Sequence, residues 1–140
     1  MKFVFADTLY WVAITRPNDP WAEPARAARE KLGKVVLVTT DEVLSEFLAA
    51  LSKSGPAIRG LGVQVVREIL NDPDVQVVPQ SREGFLQALD RFSKREDKSY
   101  SLTDCISMNV MESLGMREVL TNDHHFAQEG FAPLIQQPSS

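Results

Sequence analysis

Apolar residues in this chain fall into two alternating patterns, short near-continuous runs and longer stretches at helical spacing. Phe3-Val4-Phe5-Ala6, Val35-Val36-Leu37-Val38 and Val75-Gln76-Val77-Val78 are of the first kind, the pattern of strands buried on both faces of a parallel sheet. Residues 118–121 and 131–135 supply two further strands. Helical spacing predicts helices over 8–15, 21–32, 39 to about 54, 57–70, 81–94 and 102–114.

Punctuation separates these elements. Arg16-Pro17-Asn18-Asp19-Pro20 breaks the first helix, Gly33 suits the end of the second, and Gly55-Pro56 divides the third from the fourth. Thr39 and Glu42 have the spacing of a capping box. Gly60 and Gly62 weaken the first turn of the helix they enter. Phe85, Leu86, Leu89 and Phe92 recur at helical spacing in the fifth helix, whose end and following loop carry Arg91, Lys94, Arg95 and Lys98. Strands alternating with helices predict an α/β fold with a mostly parallel sheet covered on both faces. There are no internal repeats, and one domain over 1–137 is expected, with 138–140 as a frayed tail.

Composition narrows the class. With 140 residues and 44% hydrophobic composition the chain can build one sizeable core. Its net charge of −4 argues against holding nucleic acid or an anionic membrane by bulk electrostatics. A single cysteine, Cys105, allows no internal disulfide and fits a reducing compartment. No apolar run approaches the length of a membrane span or a signal peptide, so a cytoplasmic, soluble protein with no membrane partner is expected.

Two aspartates stand against the polarity of their surroundings. Asp104 opens a stretch that is apolar nearly all round, sharing a helical face with Met108 and Met111, and Asp123 follows directly on a strand. Ligands of parallel α/β sheets bind beyond the carboxyl ends of the strands, where Asp7 also falls, and Glu46 lies early in the helix after the second strand. Four carboxylates converging there repel unless cations neutralise them. Oxygen-only ligation points to Mg²⁺ or Mn²⁺, and such ions in an acidic protein point to phosphodiester hydrolysis.

Each acid also has a plainer reading. Asp7 is placed to cap the first helix, Asp104 to close a capping box with Ser101, Asp123 to cap a short turn through Phe126, and Glu46 to be a solvated helix position. His124-His125 reads as a surface loop, Cys105 as a small core residue, and Trp11 and Trp21 as core or interface anchors. The basic cluster reads as a solvated helix end, and also as the leading candidate for contact with a substrate backbone.

Phe3-Val4-Phe5-Ala6-Asp7-Thr8, Thr40-Asp41-Glu42-Val43-Leu44-Ser45-Glu46, Tyr100-Ser101-Leu102-Thr103-Asp104-Cys105 and Val119-Leu120-Thr121-Asn122-Asp123-His124-His125-Phe126 resemble, in order and spacing, the PIN-domain nucleases, and most closely the VapC-like ribonuclease toxins. The likeness covers essentially the whole chain, and its most specific piece is Thr121-x-Asp123-x-x-Phe126 behind Ser101-x-x-Asp104. It implies a three-layer α/β/α sandwich in which Asp7, Glu46, Asp104 and Asp123 hold Mg²⁺ or Mn²⁺ for RNA cleavage. It further implies that Ser101 and Thr121 place the acids through hydrogen bonds, that the protein is a homodimer, and that a cognate antitoxin crosses the active-site groove. Four positions depart from the family pattern: Leu9 where many members have Ser or Asn, the large Met108 and Met111, and Trp21. The rival readings are a PIN-like binding module without nuclease activity, a receiver-like Mg²⁺ domain and a phosphatase of the haloacid dehalogenase type. Pro79-Gln80 after the third strand disfavours the receiver, and Leu9 disfavours the phosphatase.

Overall fold

The computed structural model describes residues 1–138. In chain order it contains β1 (Phe3–Ala6), α1 (Thr8–Thr15), α2 (Ala22–Leu32), β2 (Val36–Thr40), α3 (Asp41–Leu51), α4 (Pro56–Asn71), β3 (Val75–Val78), α5 (Arg82–Lys94), α6 (Leu102–Ser113), β4 (Glu118–Leu120), α7 (His124–Gln128) and β5 (Ala132–Pro133). Each pair of consecutive strands is joined through at least one helix, which lets all neighbours pair parallel. The sheet order is β3-β2-β1-β4-β5, with helices flanking an all-parallel sheet as the apolar runs predict. β1 is central, and Val4, Phe5 and Ala6 have no exposed surface. Val119 and Leu120 flank it on β4, and with Phe47, Met108, Met111 and Phe126 they are fully buried in the same core, each large side chain contributing roughly 1.5–3 kcal/mol of transfer free energy.

Several boundaries differ from expectation for local reasons. The capping box predicted between Thr39 and Glu42 does not form. β2 runs two residues further than expected, so Thr39 lies in the sheet, its buried hydroxyl donating to the Ala6 carbonyl at 3.0 Å while accepting from the Trp11 indole at 3.3 Å. Thr40 caps α3 instead, accepting the Val43 N–H at 3.0 Å. The weak first turn expected for α4 is intact, because Gly62 is where this helix meets α3: a Cβ there would lie 2.9 Å from Leu51 Cδ1. The last strand shrinks to Ala132–Pro133. The predicted tail lies mostly outside the described residues.

α5 has an unusual balance. Ala88 is its one buried residue, while Phe85, Leu86, Leu89 and Phe92 are 38–54% exposed. Helical spacing identified this apolar stripe, and the rest of the chain leaves it uncovered.

Candidate metal centre

The sheet changes direction at β1, whose two neighbours are β2 and β4. This switch point opens a crevice beyond the strand ends, where ligands of parallel sheets bind. The register pairs Phe5 with Val119 and Ala6 with Leu120. Asp7 is therefore carried next to Thr121, whose hydroxyl donates to Asp7 Oδ2 at 3.1 Å. The same Thr121 oxygen accepts the Asp123 N–H at 3.2 Å, so one buried hydroxyl ties together the acids following the two central strands. Asp7 occupies the cap position of α1 but forms no side-chain capping bond; its plainer role is not the one its carboxylate performs.

Asp104 satisfies both of its readings at once. Its N–H donates to Ser101 Oγ at 3.0 Å, and the Ser101 N–H donates to Asp104 Oδ2 at 3.1 Å, closing the expected capping box. The reciprocal bond holds the carboxylate at the helix entrance, where Oδ2 lies 3.4 Å from His125 Nδ1. Asp123 caps α7, accepting the His125 N–H at 2.9 Å. Glu46, half-buried in the second turn of α3, accepts a hydrogen bond from the Thr8 hydroxyl. Thr8 thus supplies a hydroxyl beside Asp7 that Leu9 cannot.

The electrostatics set this edge apart. Asp7 is 7% exposed, and burial, opposed by the Thr8 N–H and the Thr121 hydroxyl but reinforced by Asp104 and Glu46, pushes its carboxyl from 3.8 up to about 7. Asp104 is raised as well, chiefly by burial and by the charge of Asp123, although the Ser101 N–H and the His125 ring work the other way. Buried carboxyl groups that raise one another need a cation to remain ionised together.

His125 is the participant that the sequence reading missed. It was assigned to a surface loop, yet its side chain is only 19% exposed and its Nδ1 lies 3.2 Å from Asp123 Oδ1 as well as 3.4 Å from Asp104 Oδ2. One ligand atom each from Asp104, Asp123 and His125 fall within 4.8 Å of one another. Nδ1 is buried and without a hydrogen-bond partner. An orphaned ring nitrogen among carboxylate oxygens is a donor set that fits a divalent cation. The signal available beforehand was the helical turn after Asp123, which folds the second histidine back over its own cap.

The basic cluster is built differently from expectation. Arg91 is only 10% exposed rather than solvated; it pairs with Glu129 at 2.7 Å and with Glu112, and donates to Asn109 Oδ1 at 2.7 Å. Arg95 Nε also reaches Glu129, at 3.1 Å, and Tyr100 donates to Glu129 Oε2 at 2.9 Å. Lys94 pairs with Asp90 on the surface, and Lys98 lies 3.6 Å from Asp97. Arg91, Lys94 and Arg95 line a groove between α5 and α6 together with Asn109 and Ser113.

Fold and site together define an α/β domain that presents an acidic cluster at the switch point of a parallel sheet. The chain belongs to the PIN domain family, whose sequence pattern matches residues 4–131. Members of this family are typically metal-dependent nucleases and commonly use Mg²⁺. Among solved structures the chain is similar to VapC20 of Mycobacterium tuberculosis, described as a sarcin-ricin loop cleaving toxin, with TM-score 0.84 and 22% identity over 95% of this chain and 99% of that one. It is also similar to FitAcB from Neisseria gonorrhoeae, with TM-score 0.64 and 14% identity over 96% of this chain and 97% of that one. No curated protein matches it in sequence. No helix among the described residues is long and apolar enough to cross a membrane.

Proposed function

We propose that this protein is a Mg²⁺- or Mn²⁺-dependent endoribonuclease acting as the toxin of a toxin–antitoxin pair. The observation that carries the proposal is the carboxyl group of Asp7, buried at the end of the central strand and raised chiefly by that burial, with neighbouring Asp104 and Glu46 adding to it. Asp7, Asp104 and Asp123 would hold the cation, and Glu46, fixed by Thr8, would complete or orient the set. When bound, the cation supplies neutralising charge for phosphate oxygens and lowers the pKa of an attacking water. Thr121 holds Asp7 and the Asp123 backbone together, so neither acid must be ordered when substrate arrives. Ser101 does the same for Asp104.

Of the basic cluster, Lys94, Arg95 and Lys98 are proposed to contact the RNA backbone. Arg91, committed to two glutamates, would hold the wall from which they project. The exposed stripe of α5 is proposed to pack against a second copy of the chain, since contiguous apolar surface of this kind marks an interface. Light scattering should give the mass of two chains, and a monomer would overturn the homodimer.

Cleavage of RNA in the presence of Mn²⁺ tests the activity. Wild-type protein should cleave, EDTA should abolish cleavage, and Asp104→Asn should lower the rate about 10³-fold, several kcal/mol of lost transition-state stabilisation. Activity undiminished by EDTA or by Asp104→Asn would overturn the metal-dependent reading, and absence of cleavage by the wild-type protein would leave the reading of a PIN-like binding module.

A further inference from the structure

We propose that His125 is a cation ligand through Nδ1, and that this nitrogen makes the centre selective for Mn²⁺ over Mg²⁺. The inference rests on the metal-site reading above and extends it from four acids to a mixed oxygen and nitrogen set. Three observations carry it. First, Nδ1 faces two carboxylates at 3.2 and 3.4 Å but aligns with neither as a hydrogen bond. A protonated ring pairs by charge with both acids but aligns with neither, whereas a neutral ring turns a buried nitrogen toward carboxylate oxygens with nothing between them. A cation between the three atoms engages all of them.

Second, adjacent ligands of an octahedral ion with bonds of about 2.1 Å are separated by about 3 Å. The two spacings from Nδ1 are close to such an edge, and all three ligand atoms lie within 4.8 Å of one another. Third, the other ring nitrogen is already engaged. Nε2 lies 3.1 Å from Ser99 Oγ, and the ring packs edge-on against Tyr100 with centroids 5.2 Å apart. A ligating histidine is held in this way, one nitrogen fixed by a hydrogen bond and the other presented to the metal. His124 is exposed, its ring centroid 5.0 Å from that of His125, and it has no carboxylate partner among the described residues. Imidazole suits transition metals, whereas Mg²⁺ keeps to oxygen, which gives the nitrogen its effect on selectivity.

The test is Mn²⁺ binding to the metal-free full chain, followed by electron paramagnetic resonance. Pulsed spectra of wild-type protein should show coupling to an imidazole nitrogen that persists in His124→Gln and disappears in His125→Gln. The His125→Gln variant should bind Mn²⁺ about tenfold or more weakly, while its Mg²⁺ affinity, from competition, changes less than about threefold. The wild-type spectrum needs no variant to fold. Mn²⁺ binding that Asp104→Asn abolishes, without nitrogen coupling in wild type, overturns the role of His125 and leaves the metal site standing. Absence of Mn²⁺ binding in wild type, or binding unchanged in Asp104→Asn, overturns the metal-site reading and this inference with it.

Discussion

Two groups of acids flank α6 and α7, and the chain treats them in opposite ways. Glu129 meets Arg91, Arg95 and the Tyr100 hydroxyl. Burial alone would push it up, but hydrogen bonds from Arg95 and Tyr100 and the charges of both arginines hold it below the usual range. Asp7, the more deeply buried of the two, meets hydroxyls, an N–H and more acids, and chiefly its burial pushes it up to about 7. A protein able to place two guanidinium groups on one glutamate supplies none to its most buried aspartate. The first group is a finished structural joint that anchors α7; the second leaves its acids without a positive partner, the place the proposed cation would take.

Removing a partner from the finished joint should have the largest effect. Arg91→Ala takes one of two guanidinium groups from a largely buried Glu129, together with the ties to Glu112 and Asn109, and should cost about 3 kcal/mol in urea unfolding, equally with and without added Mn²⁺. A loss nearer the value of a solvated surface pair, about 0.5 kcal/mol, would erase the contrast. Asp7→Asn should act in the other direction. Because the folded carboxyl titrates near 7 and the unfolded one near 3.8, the folded state retains a proton between those values that the unfolded state has lost. Stability therefore falls as pH rises through that window, and the penalty is complete only above about 7. In metal-free thermal melts at about pH 8 the variant should be more stable by roughly 2 kcal/mol. The gap should close toward about pH 4 and narrow when Mn²⁺ is added to wild type; a variant less stable throughout would show that Asp7 is already compensated.

Thr121→Val is the finest probe. It keeps the shape of a buried residue while removing the hydroxyl that joins Asp7 to the Asp123 backbone, and should lower cleavage about 10- to 100-fold. Loss of that donor also raises Asp7 further, so the acid limb of the pH–rate profile should move to higher pH. An unmoved limb with full activity would remove Thr121 from the site.

The difference between the two groups also explains what could be read from sequence. Continuous apolar runs announce strands buried on both faces, so the sheet and the placement of Asp7 and Asp123 at its ends followed from local pattern. Ser101 and Asp104 were legible for the same reason, being three residues apart in a recurring cap. The burial of Arg91 was not, because its partners Glu112 and Glu129 lie 21 and 38 residues away and only packing brings them together. Thr39 and Thr40 differ by one step of strand register, which decides capping but leaves no mark on composition. The placement of His125 was not legible, because the helical turn capped by Asp123 is what carries its ring onto the acids. Periodicity marked the stripe on α5 as apolar, but periodicity identifies a face and not its cover.

The bond between Thr121 and Asp7 spans 114 residues of sequence, and the order of synthesis gives that separation a meaning. Asp7 and Glu46 leave the ribosome before β4, with β1 and β2 able to pair while the strand that completes the crevice is still to come. Closing so long a loop costs entropy that only the finished β1–β4 ladder returns. A growing chain therefore carries half of the proposed site until β4 has been made, and competence at that site would emerge only with the closed sheet.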